Sequence, residues 1–327
     1  MAQGADWLTG NVFTTGNDKP VFCADIGGSF IKFAVSPKPG VIEPLERVPT
    51  PASDWDAFVA ALSDLIARHA HLVKDNDSTP LALSITGIVD PKTGVSIAAN
   101  IPCITGRPVA AELSARLGRP VVAANDADCL TLAEASEGAG KGHDVVFCAI
   151  IGTGIGGGLA IGGKLVRGAG GVTGEWGHGP IVNTTVEIAG ETIHIPRLAC
   201  GCGQSGCADT VGGARGIERI DGLLHERAET SHTIIEDWQA GDALAEKTIA
   251  VWLELIADPL ALAVNTTGAS VVPVGGGLAS VSALIDLLDG AVRKRILNRI
   301  SHPLVIPALR QADGGLVGAA VLGRQEG

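Results

Sequence analysis

The feature that most constrains this chain is Cys200-Gly-Cys202-Gly-Gln-Ser-Gly-Cys207, with His178 twenty-two residues before its first cysteine. Three thiolates on one Gly-rich loop and an imidazole within folding reach form a Cys₃His set suited to a tetrahedral zinc ion. Four protein ligands close the shell, so the metal is expected to be structural, shaping a loop without activating water. The remaining cysteines, Cys23, Cys103, Cys129 and Cys148, stand in strand-like or apolar contexts and are expected to be small core residues in a reducing compartment.

Glycine is the second signal. The 45 glycines arrive in blocks at the ends of apolar runs, not as a period or a low-complexity tract. Val21–Asp25 breaks at Gly27-Gly28 and resumes at Ile31–Val35. Val145–Ile151 runs into Gly152-Thr153-Gly154, with Leu159–Val166 as a hairpin about Gly162-Gly163, and Val271–Val274 enters Gly275-Gly276-Gly277. Two halves that each open with strand, Gly-rich turn and strand predict an internally duplicated α/β fold with a ligand cleft between them. The spacing also predicts helices from an N-cap at Ser53 to about His71, over Glu112–Leu117, over Ala243–Val264 with a kink or break at Pro259, over Val281–Ile296 and over Leu316–Leu322. Leu81–Val89, Val121–Ala124 and Leu304–Ile306 read as strands.

A Gly-Gly turn alone is more often only a turn. Three such loops at strand ends, with Asp25 and Ser29 flanking the first, favour a triphosphate nucleotide, since backbone N–H groups there can face an anion. No Gly-x₄-Gly-Lys-Ser/Thr is present, and no Gly-x-Gly-x-x-Gly opens a helix after the first strand. Lys32 reads better as a solvated strand residue than as a phosphate contact. Asn125-Asp126 ends a strand with an amide and a carboxylate that could hold and deprotonate a hydroxyl, or could simply cap the next helix. Asn100 could bind a sugar hydroxyl or close a turn.

A hydrophobic content of 46% with 18% charged residues supports a full core. A formal charge of −11 disfavours nucleic acid and anionic membranes as partners. Neither a signal-like leader nor a long unbroken apolar run is evident, so a cytoplasmic location is expected.

Asp25-Ile-Gly-Gly-Ser29, Asn125-Asp126, Gly152-Thr-Gly154, Gly174-Glu175-Trp-Gly-His178 and the cysteine loop occur in the order in which they stand in the ROK family of sugar kinases and repressors, which this chain resembles from about Val21 onward. The resemblance implies the actin-like/hexokinase-like ATPase fold (ribonuclease H-like). It implies an N-terminal domain over 1-124, completed by a helix at 312-327, and a C-terminal domain over 125-311. It also implies ATP, Mg²⁺ and a structural Zn²⁺ as cofactors, and a homodimer. By the same resemblance Asp126 is the general base on a sugar 6-hydroxyl. Gly87, Asn100, Thr105, Gly106, Asn125, Glu175, His178 and Asp209 surround the sugar. Asp25, Gly27, Gly28, Ser29, Gly152, Thr153, Gly154, Gly275 and Gly276 surround the nucleotide, and His178, Cys200, Cys202 and Cys207 hold the metal. Ala98–Pro108 and Glu112–Leu117 look most like N-acetylglucosamine kinases; N-acetylmannosamine kinase and glucokinase are the alternatives. A repressor of the same family is disfavoured, because about twenty residues before the first strand leave little room for a DNA-binding module. Asp209 stands where the family has glutamate, and Ile85-Thr86-Gly87-Ile-Val-Asp90 where the family has Ile-Pro-Gly-x-Val-Asp.

Overall fold

The computed structural model describes residues 18–179 and 183–327. The chain opens with β1 (Val21–Ile26), β2 (Phe30–Ser36) and β3 (Glu43–Pro49), followed by α1 (Trp55–His69), β4 (Leu81–Ile85), the short ladder of β5 (Ile88–Val89) and β6 (Ser96–Ile97), α2 (Val109–Leu117), β7 (Val121–Asn125) and α3 (Asp126–Glu137). The second half starts with β8 (Val145–Ile151), β9 (Ile155–Ile161) and β10 (Lys164–Leu165), then the hairpin of β11 (Thr185–Ile188) and β12 (Glu191–His194). Next come α4 (Asp209–Gly212), α5 (Ala214–His225), α6 (Ser231–Gln239), α7 (Ala243–Thr267), β13 (Val272–Gly275), α8 (Ser282–Arg293), β14 (Val305–Pro307) and α9 (Gly314–Glu326).

Two five-stranded sheets repeat one topology, β3-β2-β1-β4-β7 and β10-β9-β8-β13-β14, each with two antiparallel and two parallel pairings in the same places. The duplication expected from the glycine blocks is therefore a duplication of sheet order. Alternation along β1 shows how the first sheet is covered on both faces. Phe22, Ala24 and Ile26 join a core with Phe58 and Leu62 of α1, while Val21 and Cys23 join Leu316, Ala319 and Ala320 of α9. The last helix thus returns to the first sheet. It also lies close on α3, since a Cβ at Gly318 would run into the Cys129 backbone.

Several local expectations change. The cap of α1 is Asp54, whose side chain accepts from the Ala57 N–H, not Ser53. The Leu81–Val89 run breaks into β4 and β5 at Gly87, whose φ of 123° is closed to other residues. Helix α7 continues through Pro259. Proline costs about 3 kcal/mol inside a helix, whereas fully burying a large apolar side chain gains about 1.5–3 kcal/mol each, and Trp252, Leu255, Ile256 and Leu260 are all fully buried. That burial also accounts for a helix long and apolar enough by composition to cross a membrane.

Candidate active site

Parallel register places the chemistry. Ile26, Ile85 and Asn125 are level across β1, β4 and β7, so Asp25, Thr86 and Asp126 meet at the carboxyl edge of one sheet, where ligands of open α/β sheets bind. Together with Gly27, Gly28 and Ser29 they line a cavity of about 450 Å³. Asp25 Oδ1 accepts from Ser84 Oγ at 2.9 Å, and its Oδ2 pairs with Lys32 Nζ at 3.1 Å across the β1–β2 register. Lys32 is thus an exposed strand residue that also borders the cleft.

The Asn125-Asp126 pair divides its work. Asn125 is the N-cap of α3, its side-chain oxygen accepting from the Asp128 N–H. Asp126 is the first helical residue, and its Oδ1 takes the Ala127 N–H at 2.9 Å. Solvent reaches Asp126 through the cleft mouth, yet crowding by the cleft walls and then the charge of Asp25 hold its pKa above the usual carboxylate value. A carboxylate made more basic in this way is suited to accept a proton.

Asp128, 7% exposed, is pushed up to about 7, chiefly by burial, with Arg167 opposing. Unfolded, this carboxyl ionises near 3.8. Because the folded value is the higher one, ionisation of Asp128 costs the native state stability, a loss absent below the unfolded pKa and complete above the folded one. Asp128→Asn is expected to raise stability at pH 8 by up to about 4 kcal/mol and to leave it unchanged at pH 4. Urea midpoints at the two pH values test this; an equal effect at both would show that Asp128 does not titrate in this range.

The second sheet supplies the other glycine loops. Gly152–Gly154 forms the tight turn between β8 and β9, closed by Gly152 N–H to Gly154 O at 2.9 Å. Gly275 is level with Ile150, and Gly276 lies against Ile151 and Gly152 so closely that a Cβ there would meet the Ile151 backbone at 2.6 Å. Thr153 O accepts from Arg215 at 3.3 Å, and Gly152 O from Ala214 at 2.8 Å.

Asn100 is exposed and sits over the first hairpin: a Cβ on Gly28 would lie 2.8 Å from the Asn100 Cβ. Gly87 packs under this segment against Ile97 and Ala98. Thr105 Oγ1 bonds to both N and O of Ala98 at 3.0 Å, and Gly106 N–H donates to Ser96 O at 2.8 Å. In the structure Thr105 and Gly106 therefore brace the Asn100 loop.

The ligand atoms of His178, Cys200, Cys202 and Cys207 lie within 4.8 Å of one another. Cys200 Sγ is 3.7 Å from His178 Nδ1, and Cys202 Sγ is 3.7 Å from Cys207 Sγ. A tetrahedral ion with metal–sulfur bonds of about 2.3 Å sets sulfur–sulfur separations of about 3.8 Å, so the donors fit such a centre. His178 Nε2, on the far side of the ring, is 3.8 Å from Glu175 Oε2, the arrangement by which a carboxylate orients a metal-bound imidazole. Asp209 follows Cys207 by two residues, and its Oδ1 accepts from the Ile155 N–H at 2.8 Å.

Arg47, Thr86, Gln311, Gly314 and Gly315 also line the cleft without having been expected there. Arg47 stacks on Phe30, its guanidinium carbon 3.7 Å from the ring centroid. Gly315 abuts Asp25 so tightly that a Cβ would overlap its carboxylate. The one sequence signal for these was the Gly314-Gly315 doublet ahead of the last helix.

Residues 21–326 match the sequence profile of the ROK family. The chain is 32% identical over 277 residues to the N-acetyl-D-glucosamine kinase of Pectobacterium atrosepticum, covering 85% of this chain and 90% of that protein. It is 31% identical over 300 residues to an N-acetylgalactosamine kinase of a Shewanella species, covering 91% and 95%. Among solved structures, a ROK hexokinase from Thermus thermophilus superposes with a TM-score of 0.79 at 30% identity, covering 94% of this chain and all of that one. A ROK glucokinase from Streptomyces griseus, in complex with glucose and AMPPNP, gives 0.70 at 29% identity, covering 94% and 100%.

Proposed function

Because the chain belongs to the ROK family, we propose that it transfers the γ-phosphoryl group of ATP to the 6-hydroxyl of an amino sugar, N-acetyl-D-glucosamine. The observation that carries this reading is the convergence of Asp126, Asp25 and the Gly27–Ser29 hairpin on one cavity. The sugar O6 attacks the γ-phosphorus, the bond to the bridging oxygen breaks, ADP leaves and the hydroxyl proton passes to Asp126. The transition state of phosphoryl transfer is loose, so positioning and charge neutralisation supply most of the rate and the proton moves late. Mg²⁺, when bound, neutralises phosphate charge, and Asp25 is the hard oxygen donor suited to it or to its waters. Backbone amides of Gly27, Gly28, Ser29 and of the Gly152–Gly154 turn face the phosphates, with Gly275 and Gly276 behind them. Asn100, Asn125, Glu175 and His178 hold the sugar hydroxyls. The Cys₃His cluster takes zinc, which supplies no reaction step and fixes His178 and Glu175.

We divide the chain into 1-124 completed by 312-327, and 125-311, with the cleft between. Seven cysteines without disulfide partners agree with a reducing cytoplasm. We assign a homodimer as the assembly.

The acetamido preference rests on the Asn100–Arg107 stretch and on the named activities of the relatives. Glucose lacks the acetamide, so the pocket is underfilled and its polar partners are left unpaired, at a cost of about 10²-fold in kcat/KM. An ADP-release assay across N-acetylglucosamine, N-acetylgalactosamine, N-acetylmannosamine and glucose tests it. Glucose used as efficiently as N-acetylglucosamine would remove the sugar assignment and leave the kinase standing; a preference for the galacto epimer would redirect it to the sugar of the Shewanella relative.

A further inference from the structure

Asp209 is one methylene shorter than the glutamate expected at its place, and its carboxylate is engaged with backbone. Oδ1 accepts from the Ile155 N–H at 2.8 Å, directly after the Gly152–Gly154 turn. A Cβ on Gly154 would overlap this same oxygen, so the turn and the carboxylate are fitted to each other. The Asp209 N–H in turn donates to Gly177 O at 2.9 Å, within the Glu175–His178 segment. Its Oδ2 is 4.0 Å from Cys200 Sγ, at the edge of the metal cluster. Five residues on, Ala214 and Arg215 donate to Gly152 O and Thr153 O, a second hold on the same turn.

Three segments therefore meet at one side chain: the turn that faces the phosphates, the segment that faces the sugar, and the cysteine loop. We propose that Asp209 is a positioning residue for the phosphate donor, tying the Gly152–Gly154 turn to the cysteine loop. This rests on the kinase reading above. A carboxylate bond to a backbone amide is stronger than a neutral one and fixes the angle at which the turn presents its amides. Glutamate would set the acceptor further along the same direction and displace Ile155. The reach of aspartate is thus matched to this turn.

The test is calorimetric titration of the full chain with ADP and, separately, with N-acetylglucosamine, after elemental analysis of the metal content of each variant. Asp209→Ala is expected to weaken ADP about tenfold while sugar affinity stays within about twofold. Asp209→Asn, whose amide oxygen can accept the same N–H, is expected to restore ADP binding to near wild type. Asp209→Glu is not expected to restore it. A loss of sugar affinity with ADP binding intact would overturn the inference and make Asp209 a sugar ligand. If Asp209→Ala loses its metal or fails to fold, the Asn and Glu variants decide: ADP binding retained by Asn and weakened by Glu supports the proposal, and the reverse overturns it. A metal-loaded wild type that binds sugar but no ADP would refute the kinase reading itself, and this inference with it.

Discussion

Asp126→Asn is expected to lower kcat by roughly 10²–10⁴ while sugar affinity stays within a few-fold of wild type. The side chain keeps its shape and its amide oxygen can still accept the Ala127 N–H, so the start of α3 is preserved. What disappears is the proton acceptor. The competing account, in which the carboxylate only caps the helix, is weakened because the cap of α3 is Asn125. Loss of that cap through Asn125→Ala should cost about 1 kcal/mol of stability. The two substitutions therefore separate: one should act on turnover without stability, the other on stability. A near-native kcat in Asp126→Asn, measured at saturating sugar and ATP, would return Asp126 to a structural role.

Much of this site was readable in the chain because its parts lie at breaks in local pattern. An apolar run that stops at Gly27-Gly28 or Gly152-Thr-Gly154 can be seen without knowing its neighbours, and so can three cysteines in eight residues. What could not be seen depends on which strands lie side by side. Arg47 belongs to β3, whose sequence Glu43-Pro-Leu-Glu-Arg-Val-Pro49 is polar, Pro-flanked and too irregular to mark a strand; it reaches the cleft only through the register Lys32↔Arg47. Gln311 and Gly315 arrive from the far end of the chain by the return of α9 to the first sheet. Asp128 looked like any surface helix acid, and its burial between α3 and its neighbours is a tertiary fact. Helices α4 to α6 escaped notice since Gly212, Gly213 and Gly216 interrupt the periodic signal, although each packs where a Cβ would strike Ile155, Thr153 or the Val211 backbone. The domain limits drawn from the resemblance stay a proposal.

Removing the metal is expected to abolish measurable sugar binding while most of the fold persists. The loop from Cys200 to Cys207 is glycine-rich, Cys202 is exposed, and only Cys207 and the adjoining Ala208 are buried. Apolar burial therefore does little to order this loop, and metal coordination has to supply what the core does not. By contrast the second sheet and α5 to α8 share a continuous core around Trp252, which does not depend on the cysteine ligands. His178 links the two regions: with Nδ1 toward Cys200 and Nε2 toward Glu175, it transmits the position of the metal to the sugar side. Cys207→Ser is thus expected to reduce zinc well below one equivalent and to weaken N-acetylglucosamine by more than about 10²-fold. Far-ultraviolet circular dichroism should stay near wild type. Cys148→Ser, at a buried cysteine outside the cluster, should keep its zinc and its sugar affinity. Zinc near zero in wild-type protein that still binds the sugar would show that hydrogen bonds alone order this loop, and the Cys₃His cluster would lose its role in the site.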